Sequence, residues 1–137
     1  MKRRLLITAV AVLAIGLWIW SPWRANFGYH FSFPLPPSAK VIQYHHSAGR
    51  DSGDEFEFAV TDDALRDAII KEWNLTSVAP GGRVMSFARV TGAPWWPGDK
   101  LQELPERYGR IDERASRYWS LWVDRQNGRL YAEYGNW

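Results

Sequence analysis

Hydrophobic positions follow three different rhythms along this chain. From Leu5 to Trp20 they form an almost unbroken run, interrupted only by Thr8 and Gly16. At 55–60 they alternate. Phe56, Phe58 and Val60 fall on one face and Glu55 and Glu57 on the other, which predicts a strand with one buried side. At Leu65, Ala68, Ile69 and Trp73 they recur at helical spacing, with Thr61 as N-cap and Asp62 and Asp63 in the first turn. Residues 39–46 carry Val41, Ile42 and Tyr44 and predict a strand that pairs with 55–60 across a polar turn. Residues 83–90 read as a third strand. Residues 116–124 and 129–134 read as a closing hairpin around Asn127-Gly128, which supplies the positive φ its turn requires. The stretch 91–114 reads as a long loop, a length that usually marks function or flexibility.

These elements predict an α+β fold: an N-terminal transmembrane helix, then a ββαβββ antiparallel sheet with one helix packed on one face. The closing hairpin is apolar on both sides, since Tyr118, Ser120 and Trp122 alternate with Trp119, Leu121 and Val123. One row meets the helix. The other needs a cover, and the loop segment Pro94-Trp95-Trp96-Pro97 is the candidate.

The first apolar run predicts a membrane anchor. Counted from Leu5, Leu6 and Ile7 to Trp23 it spans about 19 residues, roughly 28 Å of helix, close to a bilayer core of about 30 Å. Lys2, Arg3 and Arg4 precede it and only Arg24 follows closely, so the N-terminus stays cytoplasmic. Trp18, Trp20 and Trp23 suit the outer interface, and no small-x-small cleavage site follows the run. The domain organisation is then a signal anchor at 1–23, a proline-rich stalk at 24–38 and a periplasmic α+β domain at 39–137. The expected location is a bacterial inner membrane, with the bilayer contacted through residues 5–23.

Composition narrows the function classes. The chain has no Cys, which excludes disulfides, thiol nucleophiles and a lipid-modified cysteine. Three of the 17 basic residues belong to the N-terminal tip, which leaves 14 against 15 acids, so the folded part holds no net attraction for nucleic acid. Trp is unusually frequent, nine residues of 137.

The set Leu35-Pro36-Pro37-Ser38-Ala39-Lys40-Val41, Trp95-Trp96-Pro97, Leu121-Trp122-Val123-Asp124 and Asn127-Gly128-Arg129-Leu130-Tyr131 resembles small bacterial envelope proteins, membrane-anchored or lipoprotein-like. The resemblance covers roughly 35–134. It implies an envelope location and an α+β fold, and it brings no catalytic residues with it.

Candidate chemistry is sparse. His45 and His46 are adjacent on a strand and point to opposite faces, so they cannot share a metal; no metal or cofactor is expected. Glu55 and Glu57 share a face at about 6.6 Å, a spacing open to acid–base hydrolysis, though the expected reading is the solvated face of an amphipathic hairpin. Arg107, Arg110, Arg114 and Arg117 interleave with acids, either as a solvated face or as a contact for anionic headgroups. Trp95, Trp96, Tyr118, Trp122 and Tyr131 are the expected binding surface, because large rigid aromatics dominate recognition sites. The expected function is a membrane-tethered, non-enzymatic envelope protein that binds another macromolecule, an accessory subunit, inhibitor or immunity-type protein. A carbohydrate or peptidoglycan binder and an acid–base hydrolase are the alternatives.

Overall fold

The computed structural model describes residues 27–48, 51–87 and 93–137. The anchor expected at 1–23 lies outside them. Among the described residues no helix is long and apolar enough to cross a membrane.

The domain is a six-stranded antiparallel sheet with short helices, a mixed α+β fold. The elements are α1 (Phe27–His30), β1 (Ala39–Ser47), β2 (Gly53–Val60), α2 (Ala64–Trp73), β3 (Thr76–Ser77), a 3₁₀ helix (Gly98–Glu103), β4 (Glu106–Asp112), β5 (Arg117–Asp124) and β6 (Arg129–Asn136). The strands lie in the order β1-β2-β6-β5-β4-β3. The last strand therefore sits in the middle and joins the β1–β2 hairpin to the β4–β5 hairpin.

Helix α2 uses the expected stripe. Leu65, Ile69 and Trp73 are buried against Phe56, Phe58, Leu121, Leu130 and Ala132. Its N-terminus differs from expectation. The Asp62 carboxylate accepts the Ala64 N–H at 2.9 Å, while Thr61 turns its hydroxyl to the Ser38 carbonyl at 3.2 Å. The helix stops at Asn74, whose left-handed φ of 51° lets the Leu75 N–H close back on the Ile70 carbonyl.

Three expectations are corrected. First, the described part of the stalk packs on the sheet: Phe27 and Phe31 are buried, and Phe33 and Leu35 lie against the same core. Phe31 stacks on Trp73 at 5.2 Å and on Phe27 at 4.3 Å. Pro34, Pro36 and Pro37 do keep their own stretch out of a helix, but the phenylalanines before them supply apolar area that a small core needs.

Second, residues 83–87 form no strand. They lie over the second face of the sheet, and side chains satisfy their backbone in place of a neighbouring strand. Gln102 bonds both the N–H and the carbonyl of Val84 at 3.0 and 2.9 Å, and Ser120 Oγ donates to the Met85 carbonyl at 2.5 Å. Residues 88–90 lie outside the described residues.

Third, β4 forms inside the expected loop, and the two-residue β3 pairs with it through Thr76↔Gly109 and Ser77↔Tyr108. The order is thus ββαββββ. Arg107 in β4 is buried, and its guanidinium donates to the Gln102 and Ala79 carbonyls.

Candidate functional site

The expected aromatic surface is mostly interior. Tyr118, Trp122, Tyr131 and Trp96 are all buried, and only Trp95 stays half-buried. Trp96 stands edge-on to Trp122 at 5.8 Å and to Tyr131 at 5.9 Å, closing the second face together with Val84, Ala93 and Leu101. Trp95 meets Trp96 at 5.6 Å with the rings 71° apart. Adjacent residues between two prolines diverge, so one ring fills the core while its neighbour is left at the margin. A sheet that is apolar on both faces needs cover on both, and the tryptophans are consumed in providing it.

The polar chemistry gathers elsewhere, in two transverse rows at one end of the sheet. Residues paired directly across antiparallel strands share a face, with β-carbons about 4.5–5.5 Å apart. On the second face the register aligns Ser120, Glu133, Glu55 and His45 across β5, β6, β2 and β1. On the helix face it aligns Arg110, Trp119, Tyr134, Asp54 and His46 across β4, β5, β6, β2 and β1. His45 and His46 do point to opposite faces, and each engages its own carboxylate.

The second-face row is sealed at its centre, with His45 partly exposed at its edge. Glu55 and Glu133 are both fully buried, so Glu55 is not on a solvated hairpin face. Glu133 accepts the Ser86 hydroxyl at 2.5 Å, the Tyr118 hydroxyl at 2.5 Å and the Phe87 N–H at 2.8 Å. His45 Nδ1 lies 2.6 Å from Glu55 Oε2. Burial raises the Glu133 carboxyl above its ordinary range, and the Glu55 charge pushes the same way against those three donors. Burial also raises the Tyr118 phenol, with Glu133 adding to it. Glu57, on the same face, is held by Arg129 and Gln43 at 3.3 Å each.

The helix-face row is only partly covered: Asp54 is buried, and Arg110, Trp119, Tyr134 and His46 are half-buried. The Asp54 carboxylate accepts the Tyr44 hydroxyl at 2.6 Å and faces His46 Nδ1 at 2.9 Å. Tyr134 pairs with Asp54 across the β2–β6 ladder, and its hydroxyl lies 2.7 Å from His30 Nδ1. Burial raises the Tyr134 phenol, helped by the Asp54 charge. Arg110 stacks its guanidinium 4.6 Å above the Trp119 ring and donates to the Trp73 carbonyl at 3.3 Å. Helix α2 ends at Trp73, so it leaves the outermost positions of this face uncovered. A cleft of about 360 Å³ remains there, lined by Ser52, Asp54, Arg117, Trp119, Tyr134 and Asn136.

The arrangement can hold a polar ligand against aromatic rings, with a cation on one wall and a carboxylate on the other. Among the described residues no group of three or more His, Asp or Glu is placed to hold a metal ion. Sequence reasoning missed Asp54, Tyr134 and Trp119 as a set, because only the register of two strand pairs, β2–β6 and β5–β6, brings them together. The one local signal was His45-His46 opposite Asp54-Glu55 across a short turn. Comparison with protein-family models, with curated proteins and with solved structures gives no match for this chain.

Proposed function

We propose that this chain is a membrane-tethered envelope protein whose folded domain is a binding module, with the helix-face cleft as its recognition site. The tether rests on the apolar run from Leu5 to Trp23 with its three preceding bases. One observation carries the binding role. Five adjacent strands each deliver one side chain to a single row beside a cleft that the helix leaves open. Interior side chains would be covered by α2, and a merely solvated rim has no need of Trp119 and Tyr134 in its floor. The sealed Glu55–Glu133 row supports that site from behind: it fixes β2, β5 and β6 in register at the same end of the sheet.

The test is photo-crosslinking in intact envelopes. A photoreactive residue at Arg114, exposed in the turn that leads into the cleft-lining Arg117, should give a discrete adduct. The same residue at Gln126, exposed at the opposite end of the sheet, should not. Equal yields at both positions would remove the recognition role from this end. A chain extracted from membranes by alkaline wash would remove the tether.

A further inference from the structure

We infer that the helix-face cleft receives a zwitterionic phospholipid headgroup, a phosphate joined to a nearby ammonium group. This deepens the binding role proposed above and names its ligand class.

The two walls of the cleft carry opposite charge. Arg117 lines one side. Its cross-strand neighbour Asp112 turns its carboxylate back to the Ala115 N–H at 3.1 Å, and the Arg117 side chain has no hydrogen bond or ion pair among the described residues. A guanidinium left free at a cleft suits the oxygens of a phosphate. Asp54 lines the other side, on β2, two strands or about 10 Å across the sheet. Its carboxylate, whose Oδ1 already serves Tyr44 and His46, and the Tyr134 ring between the two walls suit an ammonium group, while Trp119 already carries the Arg110 guanidinium.

The end of the domain that holds this cleft also fits a bilayer surface. Only three residues, 24–26, separate Trp23, at the close of the apolar run, from Phe27 in the core, a reach of at most about 14 Å. Three of the four exposed large apolar side chains among the described residues belong to this end: Tyr29 at 61%, Ile111 at 52% and Trp137 at 37% exposure. Tyr29 sits beside His30, which contacts Tyr134; Ile111 lies near the end of β4, opposite Tyr118, and Trp137 follows β6. The charges here are mixed. Arg114 and Arg117 are offset by Asp51, Asp112 and Glu113, which argues against a simple anionic-lipid patch and for a ligand carrying both signs.

The test uses the full chain in a non-ionic maltoside detergent, titrated with the soluble headgroup glycerophosphoethanolamine and followed by calorimetry. Saturable binding is expected, weakened at least tenfold by Arg117→Gln with the melting temperature retained. Glycerophosphoglycerol, inorganic phosphate and ethanolamine should each bind at least tenfold more weakly. Equal binding of phosphate alone, or an unchanged affinity in Arg117→Gln, would overturn the proposal. A second arm fixes the source. Because the chain has no Cys, single probes can be placed at Trp137→Cys and Gln126→Cys in vesicles of phosphatidylethanolamine and phosphatidylglycerol. Lipid-borne quenchers should reach the first and spare the second. Headgroup binding without quenching at position 137 would overturn the lipid as source. Release of the chain from vesicles by alkaline wash would refute the tether alone, since the titration in detergent does not depend on it.

Discussion

The Tyr118 hydroxyl stands 2.5 Å from Glu133 Oε1 because Gly53 and Gly135, paired across β2 and β6, leave a slot for it. A β-carbon at Gly53 would lie 3.2 Å from that hydroxyl, and one at Gly135 would lie 2.9 Å from it. The buried carboxylate is thus reached by a phenol that only side-chain-free positions admit.

Gly135→Ala should therefore destabilise the domain by about 1–3 kcal/mol through overpacking, because the added carbon also meets the Ser52 carbonyl and the Gly53 backbone, which cannot swing away. Thermal melts of the two proteins check this.

Glu133 gives a pH dependence of known sign. Its carboxyl is raised in the folded state by burial, so the native protein holds the proton more tightly than the unfolded chain. The associated stability is fully present below the unfolded value of about 4.3 and is lost as pH rises through the folded value. Glu133→Gln keeps an oxygen for the Phe87 and Tyr118 donors and carries no charge. The variant should gain on the parent as pH rises from the unfolded carboxyl value toward the raised folded one and level off above it, read by denaturant unfolding at each pH.

The two loop tryptophans should separate. Trp96→Ala empties the contact with Trp122 and Tyr131 and should cost about 3–5 kcal/mol, whereas Trp95→Ala at the margin should cost less than half of that. Equal losses in chemical denaturation would mean that both rings are core.

Phe31→Ala should cost about 3–5 kcal/mol, since the ring is buried between Phe27, Phe56 and Trp73. An unchanged melting temperature would return this segment to the role of an exposed stalk.

Local signals in the sequence were sufficient for β1, β2, α2 and the closing hairpin. Phe56 and Phe58 alternate with glutamates, and Leu65, Ile69 and Trp73 mark one helical stripe. β4 was hidden because its register places Arg107 inward and a glycine, Gly109, under Val84. An alternation whose buried members are an arginine and a glycine has no hydrophobic period to find. The segment at 83–87 misled in the opposite direction. Val84, Met85 and Phe87 have strand composition, yet composition reports burial more than pairing, and side chains from Gln102, Ser120 and Glu133 took the place of a partner strand. The site was illegible for a third reason. Asp54 and Tyr134 are 80 positions apart and meet only through the β2–β6 register.

That same register governs how the chain can fold as it is made. The β1–β2 hairpin and the β4–β5 hairpin share no ladder; each reaches the other only through β6. Until residues 129–136 have left the ribosome, the two hairpins have bare inner edges, and Glu55 has no Glu133 beside it. Sheet closure then waits on contacts as remote as Phe56 with Ala132, a long-range pairing that makes for slow folding. The interval leaves unpaired strand edges open to chaperones or to misassembly, a hazard that ends only when β6 pairs with both hairpins.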